Sequence, residues 1–187
     1  AVRHFSSESG MFYDTADNHE TLLLRPISLQ DNALPSGNAV AAAVFQQLAA
    51  YSKEVRYREQ AERMLGQMQD LVRMYPNSFG AWLTALELYG GDIEEIAIVG
   101  IREDPNTQAL LRVAQDGFHP GRIIACKQPG ENPPIPLVDR REMVGGKATA
   151  FVCRQCNCLY PTTEPEELKR HLSEGKSDPV NSGGCFQ

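Results

Sequence analysis

Three helical patterns follow one another between residues 38 and 89, and they constrain the fold more than any other part of the sequence. The first, residues 38–53, is apolar nearly all round, and the third, residues 79–89, is mostly apolar. The middle one, residues 56–75, has apolar side chains at intervals of three and four with charged residues between them. Helices that are apolar on all sides are expected to be buried, whereas an amphipathic helix keeps one solvated face. The order therefore predicts a double-layered ring of inner and outer helices rather than a plain bundle of amphipathic helices.

The hydrophobic period changes after Gly90 and Gly91. Strand patterns at residues 93–99 and 122–127 flank a helix pattern at 105–115, and this spacing predicts a crossover unit of parallel sheet. A third strand is expected at 149–153, followed by a helix that Thr163 caps. We therefore predict helical hairpins in residues 1–92, a small parallel α/β appendage in 93–173 and a mobile tail in 174–187.

Composition excludes several classes of protein. The 187 residues are 42% hydrophobic and 22% charged, which is typical of a folded globular chain. The net charge of -6 argues against nucleic acid as a partner, because nucleic-acid binding needs a basic surface. No apolar run approaches the roughly 20 residues that span a membrane, so no membrane partner is expected.

The cysteines indicate the cellular compartment, and the first residues of the chain indicate whether the sequence is a fragment. The number of cysteines, five, is odd, and four of them lie after residue 150. A small secreted scaffold would spread an even number along its length, so a reducing compartment, either the cytoplasm or an organelle matrix, is expected. The chain begins without Met, and we interpret it as a fragment or a processed piece.

Residues 10–40 concentrate hydrogen-bonding groups. This stretch holds two aromatic residues, four carboxylates, a His, an Arg and three Asn, and it ends at a helix start. Short strands at 11–14 and 21–25 predict a hairpin, and Ser36 is a natural helix cap. Such a concentration of polar groups is typical of a segment that lines a polar pocket.

Several motifs in order carry a resemblance to a known family. They are DTADNHETLLLRP, SLQDNALPSGNAVAA, YREQAERML, IVG and TAFVC followed by PTTEPEEL, and they span most of residues 10–170. The sequence resembles the C-terminal part of a family that joins an N-terminal thioredoxin-like domain to a six-hairpin helical toroid. This family includes the spermatogenesis-associated protein of animals and bacterial homologues. Cys156 and the Gly-Gly-Cys tail depart from its pattern.

The resemblance implies a fold, partners and an activity. The fold would be mainly α, a partial (α/α)6 toroid like that of N-acylglucosamine 2-epimerases and six-hairpin glycosidases, with the small parallel α/β appendage on its C-terminal side. The thioredoxin-like part and the first hairpins would belong to a missing N-terminal part of the same protein. Carbohydrate is the implied ligand, because family members are assigned to carbohydrate metabolism by fold.

In a helical toroid the pocket lies near the N-terminal ends of the inner helices, where residues 31–38 would be. Carboxylates and His can transfer protons, and paired carboxylates act in glycosidases. We therefore predict Asp31, His19 and Asp14 as catalytic residues. The predicted substrate-binding residues supply hydrogen bonds or a stacking surface for a sugar: Arg25, Asn32, Ser36, Asn38, Tyr13 and Trp82. The alternative is that Asp14, Asp31, Arg25 and Asn38 form a buried network that ties loops to the helix end.

Two functions remain open from the sequence. One is a sugar isomerase, epimerase or glycosidase-like enzyme. The other is a non-catalytic binding or scaffold module of a thioredoxin-like-domain protein. Any redox role would then belong to the thioredoxin-like part of the longer protein, outside this sequence. No cofactor is expected, because the strand–helix–strand unit lacks a G-x-G-x-x-G or G-K-[ST] phosphate motif.

The cysteines Cys153, Cys156 and Cys158, with His171 further on, could supply zinc ligands. A strand alternates its side chains, so Cys156 and Cys158 would share a face that Cys153 does not. A redox C-x-x-C pair would begin a helix, whereas this one ends a strand. We therefore expect free thiols or a single Cys153–Cys158 contact, and no metal.

Overall fold

The computed structural model describes residues 2–20, 23–154 and 157–174, which form two compact units. The first unit contains residues up to 91 except 50–53, and the second contains 50–53 and the residues from 92 onward. The helices are α1 (Val2–Phe5), α2 (Gly37–Ser52), α3 (Val55–Met74), α4 (Gly80–Gly90), α5 (Pro105–Gln115) and α6 (Pro165–Glu174). The strands are β1 (Glu94–Val99), β2 (Arg122–Lys127), β3 (Thr149–Arg154) and β4 (Asn157–Cys158). The predicted mobile tail lies, apart from Glu174, outside the described residues.

The first unit packs α2, α3 and α4 around one apolar core. The irregular segment that precedes α2 contributes Met11 and Phe12 to this core. Phe45 of α2 stacks on Phe12 with 5.8 Å between ring centroids and on Tyr57 of α3 with 6.0 Å. Aromatic pairs at such separations add about 0.5–1.5 kcal/mol beyond the area they bury. The core thus fixes the irregular segment against the helices.

The second unit is a four-stranded mixed sheet with strand order β2-β1-β3-β4. β1 pairs in parallel with β2 and antiparallel with β3, and β3 pairs antiparallel with β4. Ile96 and Ile98 of β1 pack into one cluster with α5 and α6, and Ala97 packs on the opposite face beside Leu137 and Val138. β1 is therefore the central strand, buried on both faces.

Opposite charges meet across three strands. The register places Glu94 of β1 beside Arg122 of β2 and Arg154 of β3. Arg122 Nε donates to Glu94 Oε2 at 2.5 Å, and Arg154 Nε donates to Glu94 Oε1 at 2.9 Å. Cross-strand pairs of this kind help to hold a strand register.

The start of α6 differs from the expected cap by one residue. Thr162, not Thr163, makes the bonds: its Oγ1 accepts from Glu164 N at 3.1 Å and donates to Glu167 Oε2 at 2.6 Å. This donated hydrogen bond is the main reason that the pKa of Glu167 lies below its usual range.

The predicted partial (α/α)6 toroid is wrong. The described residues of the first unit form three long helices around one core, together with an irregular segment, and these enclose no ring. The prediction assumed that a helix with apolar residues on all sides is buried on all sides. In α2, however, Val40, Val44 and Leu48 are 48%, 43% and 37% exposed. The predicted parallel appendage is also wrong as a purely parallel sheet, because β3 and β4 run antiparallel.

None of the helices in the described ranges combines the length and the apolarity that a membrane crossing requires.

The end of β1 gives a testable packing constraint. A Cβ atom on Gly100 would lie 2.3 Å from Thr107 Oγ1 and 2.9 Å from Ala148 Cβ, so α5 can approach the strand only because this residue is a glycine. We expect Gly100→Ala to lower the free energy of unfolding by about 1–3 kcal/mol through overpacking. Urea titration followed by circular dichroism measures this change.

The matched control is Gly66→Ala in the middle of α3, where a Cβ would meet nothing within 4 Å. Alanine is the better helix former, so we expect this variant to gain up to about 1 kcal/mol. Equal effects at the two positions would contradict the close approach at Gly100.

Candidate functional site

The polar segment between α1 and α2 is almost entirely irregular. Its described residues, 6–20 and 23–36, contain an isolated bridge between Ser6 and Phe12 and no longer strand, so the predicted hairpin does not form there. A chain without a helix or sheet ladder leaves its backbone N–H and C=O groups in need of other partners. Side chains of the first unit supply many of those partners.

Asn38, in the first turn of α2, binds the backbone of the segment at two places. Its Oδ1 accepts from Phe12 N at 2.7 Å, and its Nδ2 donates to Phe12 O at 2.9 Å and to Ser28 O at 3.2 Å. Its side chain is 2% exposed. Asn38 thus pairs with Phe12 as a neighbouring strand would, and both its amide atoms are occupied.

Ser28 connects four of the predicted site residues. Its backbone N donates to Asp14 Oδ1 at 3.1 Å, and its hydroxyl donates to Asp14 Oδ2 at 2.6 Å. Its carbonyl accepts from Ser36 Oγ at 3.0 Å and from Asn38. Ser36 N in turn donates to Asp31. Asp14, Asp31, Ser36 and Asn38 therefore belong to one network, which nothing in the sequence around Ser28 indicated.

Asp31 connects the starts of two helices. Its Oδ1 accepts from Ser36 N at 2.8 Å, just ahead of α2, and its Oδ2 accepts from Ala81 N at 2.8 Å, in the first turn of α4. The backbone N of Asp31 also donates to Ser78 O at 3.0 Å. A carboxylate at a helix N-terminus satisfies an otherwise unpaired N–H group and interacts favourably with the helix dipole. Both oxygens of Asp31 are engaged in this way.

Arg25 and Tyr13 form a second cluster. The guanidinium carbon lies 4.2 Å from the centroid of the Tyr13 ring, and Nη2 donates to Thr15 O at 2.6 Å and to His4 O at 3.2 Å. Arg25 Nε and Thr15 Oγ1 are buried without a hydrogen-bond partner in the described part of the chain.

The remaining predicted residues do not join these clusters. Trp82 is fully buried in the core, and its Nε1 donates to Leu29 O at 2.7 Å, so its ring is not available to stack on a sugar. His19 and Asn32 are exposed, and no side-chain hydrogen bond of either occurs within residues 2–20, 23–154 and 157–174. The structure thus joins some of the predicted residues and leaves His19 and Asn32 apart.

Three residues of α3 perform the same task and were missed from the sequence. Gln60, Arg63 and Gln67 donate to the carbonyls of Gly10, Glu8 and Ser9 at 2.6, 2.7 and 2.9 Å. They recur at intervals of three and four on the face of α3 that the pattern identified as solvated. Their spacing could have indicated one shared partner, but not which segment they bind.

A cleft of about 320 Å³ lies in the second unit, where β1 and β2 end. Gly100, Arg102, Cys126, Lys127 and Glu131 line it, and no residue predicted from the sequence does. Burial raises the pKa of the Cys126 thiol, which disfavours the thiolate form that acts as a nucleophile.

Cys153 and Cys158 lie opposite each other in the β3–β4 pair and form a disulfide, with 4.0 Å between their Cα atoms. Of the two expected alternatives, free thiols or a Cys153–Cys158 contact, the structure thus has the contact for this pair. Because their sulfurs bind each other, they are not free to act as separate zinc ligands. Within the described ranges, no group of three or more His, Cys, Asp or Glu side chains is placed to hold a metal ion. Cys156 lies outside these ranges.

The buried amide gives a prediction about stability. Asn38→Ala leaves Phe12 N and O buried without partners, so we expect a loss of about 1–3 kcal/mol in the free energy of unfolding. Asn32→Ala is the control of the same residue type, because this exposed side chain makes no such bond, and its effect should stay within about 0.5 kcal/mol. Urea unfolding measures both, and equal losses would contradict the role of Asn38.

Comparison with known proteins finds similarity to spermatogenesis-associated protein 20 of three mammals. The Homo sapiens protein is 26% identical over 171 residues, which are 89% of this chain and 22% of that protein. The Rattus norvegicus and Mus musculus proteins are 25% and 24% identical over 90% and 88% of this chain, and 22% and 21% of their own lengths. The chain therefore spans about a fifth of the length of these relatives.

No family model and no solved structure matches the chain. The similarity to the mammalian proteins agrees with the family resemblance that the motifs indicated. The comparisons do not support the toroid fold or the epimerase relationship that the resemblance implied. The chain is thus similar, over most of its length, to the C-terminal part of spermatogenesis-associated protein 20.

Proposed function

We propose that this chain acts as a non-catalytic structural module of a longer protein. In this module, hydrogen bonds fix the polar segment between α1 and α2 to the N-terminal ends of α2 and α4. The observation that carries this proposal is the Asp31 carboxylate, whose two oxygens accept hydrogen bonds from the backbone N–H groups of Ser36 and Ala81. The limited span of the match, about a fifth of each mammalian relative, supports a module within a larger whole.

The engagement of the carboxylates argues for anchoring rather than proton transfer. A general acid or base needs an oxygen within hydrogen-bond reach of the substrate proton. Asp31 gives both oxygens to the backbone, and Asp14 gives both to Ser28. Withdrawing the part-buried Asp31 carboxylate toward a substrate would leave the N–H groups of Ser36 and Ala81 without these partners, at a cost of about 1–3 kcal/mol each.

Carbohydrate binding stays a prediction, and one observation favours it as the second candidate function. The buried Arg25 Nε and Thr15 Oγ1 lack hydrogen-bond partners in the described part of the chain, and sugar hydroxyls are groups of the kind that would satisfy them. A sugar site in the first unit would then be centred on Arg25 and Tyr13, with Asp31 outside it.

Hydrogen exchange measured by mass spectrometry tests the proposal. In the wild-type chain we expect peptides that contain the amides of Ser36 and Ala81 to be protected, because Asp31 binds both. Asp31→Ala should speed their exchange by about tenfold or more, which corresponds to the loss of a charged hydrogen bond of about 1.5–3 kcal/mol. His19→Ala, at an exposed position, is the control and should leave them unchanged.

The same measurement is repeated with N-acetylglucosamine, N-acetylmannosamine and cellobiose at millimolar concentration. We expect no added protection anywhere in residues 10–40. If one of these sugars protects the segment and Asp31→Asn abolishes that protection while the chain stays folded, the anchoring function is refuted. Sugar protection that persists in Asp31→Asn but disappears in Arg25→Gln would instead establish the second candidate beside an anchoring Asp31.

A further inference from the structure

The two residues of the Cys153–Cys158 disulfide differ in their exposure to solvent. Cys153, on β3, is 3% exposed, whereas Cys158, on the short edge strand β4, is exposed. Thiol–disulfide exchange begins with a thiolate attacking one sulfur along the S–S axis, and access decides which sulfur is attacked. A thiol from solvent can therefore reach the sulfur of Cys158, and the sulfur of Cys153 is the one that leaves.

A guanidinium group lies beside the sulfur that would leave. Arg141 Nη2 is 3.1 Å from Cys153 Sγ and 3.9 Å from Cys158 Sγ. The guanidinium carbon lies 5.0 Å from the centroid of the Phe151 ring, so an aromatic face helps to hold it in place. A fixed positive charge within hydrogen-bond distance stabilises a thiolate and makes it a better leaving group.

Burial of this cation strengthens its interaction with an anion. Desolvation lowers the pKa of Arg141, and Glu95, which is itself ion-paired with Lys53, partly opposes that shift. In the oxidised state the sulfurs beside Arg141 carry no charge. Reduction places a negative charge at Cys153 Sγ, next to a cation that has already lost part of its hydration.

We propose that Cys153, Cys158 and Arg141 form a thiol–disulfide exchange site that accepts electrons from a dithiol, with Cys158 as the attacked sulfur and Arg141 as the partner of the departing Cys153 thiolate. This site belongs to the second unit and is independent of the anchoring role of the polar segment. It assigns the chain itself a redox chemistry that the family resemblance had placed in the thioredoxin-like part.

The exchange proceeds in two balanced steps. A thiolate of the dithiol attacks Cys158 Sγ and forms a mixed disulfide, while the Cys153–Cys158 bond breaks and Cys153 leaves as a thiolate beside Arg141. The second thiol of the dithiol loses its proton and attacks the dithiol sulfur of the mixed disulfide, and Cys158 leaves as a thiolate. The dithiol is oxidised to its disulfide, and the cysteine pair gains two electrons and, on protonation, two protons.

The direction of attack is tested first, without changing Arg141. The oxidised full 187-residue chain, carrying Cys156→Ser so that this thiol cannot exchange with the pair, is treated briefly with glutathione and then with iodoacetamide. We expect peptide mass spectrometry to find glutathione on Cys158 and the carbamidomethyl group on Cys153. Glutathione mainly on Cys153, or alkylation of both Cys153 and Cys158 before any glutathione is added, would overturn the proposal.

The role of Arg141 is tested by the rate of reduction with dithiothreitol. We expect Arg141→Gln to slow reduction of the pair by about tenfold and to shift its equilibrium about tenfold toward the disulfide, a change of about 30 mV in potential. Arg140→Gln is the matched control, because the neighbouring arginine is exposed and pairs with Asp139. It should reduce at the wild-type rate.

Two further measurements distinguish the loss of the Arg141 charge from a general structural effect of Arg141→Gln. Arg141→Lys, which keeps the charge, should recover part of the rate. In the reduced chain, the alkylation rate of Cys153 should rise with pH at a higher midpoint in Arg141→Gln than in Arg140→Gln, because the adjacent cation lowers the pKa of this thiol. Equal rates and equal midpoints in the two glutamine variants would refute the role of Arg141.

Discussion

Every buried backbone N–H and C=O group needs a hydrogen-bond partner, and this requirement shapes the first unit. The segment before α2 packs Met11 and Phe12 into the helical core but forms no sheet ladder of its own in its described residues. Some of its main-chain groups bind other backbone groups, as Asp14 N binds Pro26 O, and many of the others are paired by side chains. Asn38, Ser36 and Asp31 around the helix starts, Arg25 within the segment and Trp82 on α4 provide that pairing. These polar side chains help to hold the irregular segment against the helices.

The second unit meets the same requirement with regular structure. β1 pairs with a strand on each side, so its backbone bonds are made within the sheet, and its side chains alternate between two apolar clusters. Polar side chains here are thus available for interactions with one another, as at Glu94 with its two arginines. Arg141 instead contacts a disulfide sulfur and an aromatic ring.

Much of the local structure followed from hydrophobic period and capping residues. α5 and β2 begin and end at the predicted residues, and the other long helices and strands differ from prediction by one or two positions at their ends. The error came at the next level, where an apolar helix surface was taken as evidence of a second layer. Val40, Val44 and Leu48 of α2 are exposed, so residue type along a helix does not report what covers it. The antiparallel direction of β3 also could not be predicted from its own residues, because the hydrophobic pattern of a strand is the same for parallel and antiparallel pairing.

The candidate site divides along a similar line. Composition alone was enough to single out residues 10–40, because so many polar groups near a helix start need one another or a ligand. Of the network suggested from the sequence, Asp14, Asp31 and Asn38 are joined in the structure, whereas Arg25 lies with Tyr13 in a second cluster. The same residue types serve a pocket and a buried network equally well, and only the positions of their partners distinguish the two. Folding brought Ser28 and the start of α4 to these side chains, and it placed Arg141 beside a disulfide twelve residues away. Hydrophobic periodicity depends on neighbouring residues, so the helices and strands could be inferred from the sequence. Hydrogen bonds between distant segments depend on how the whole chain packs, so these contacts could be identified only in the folded structure.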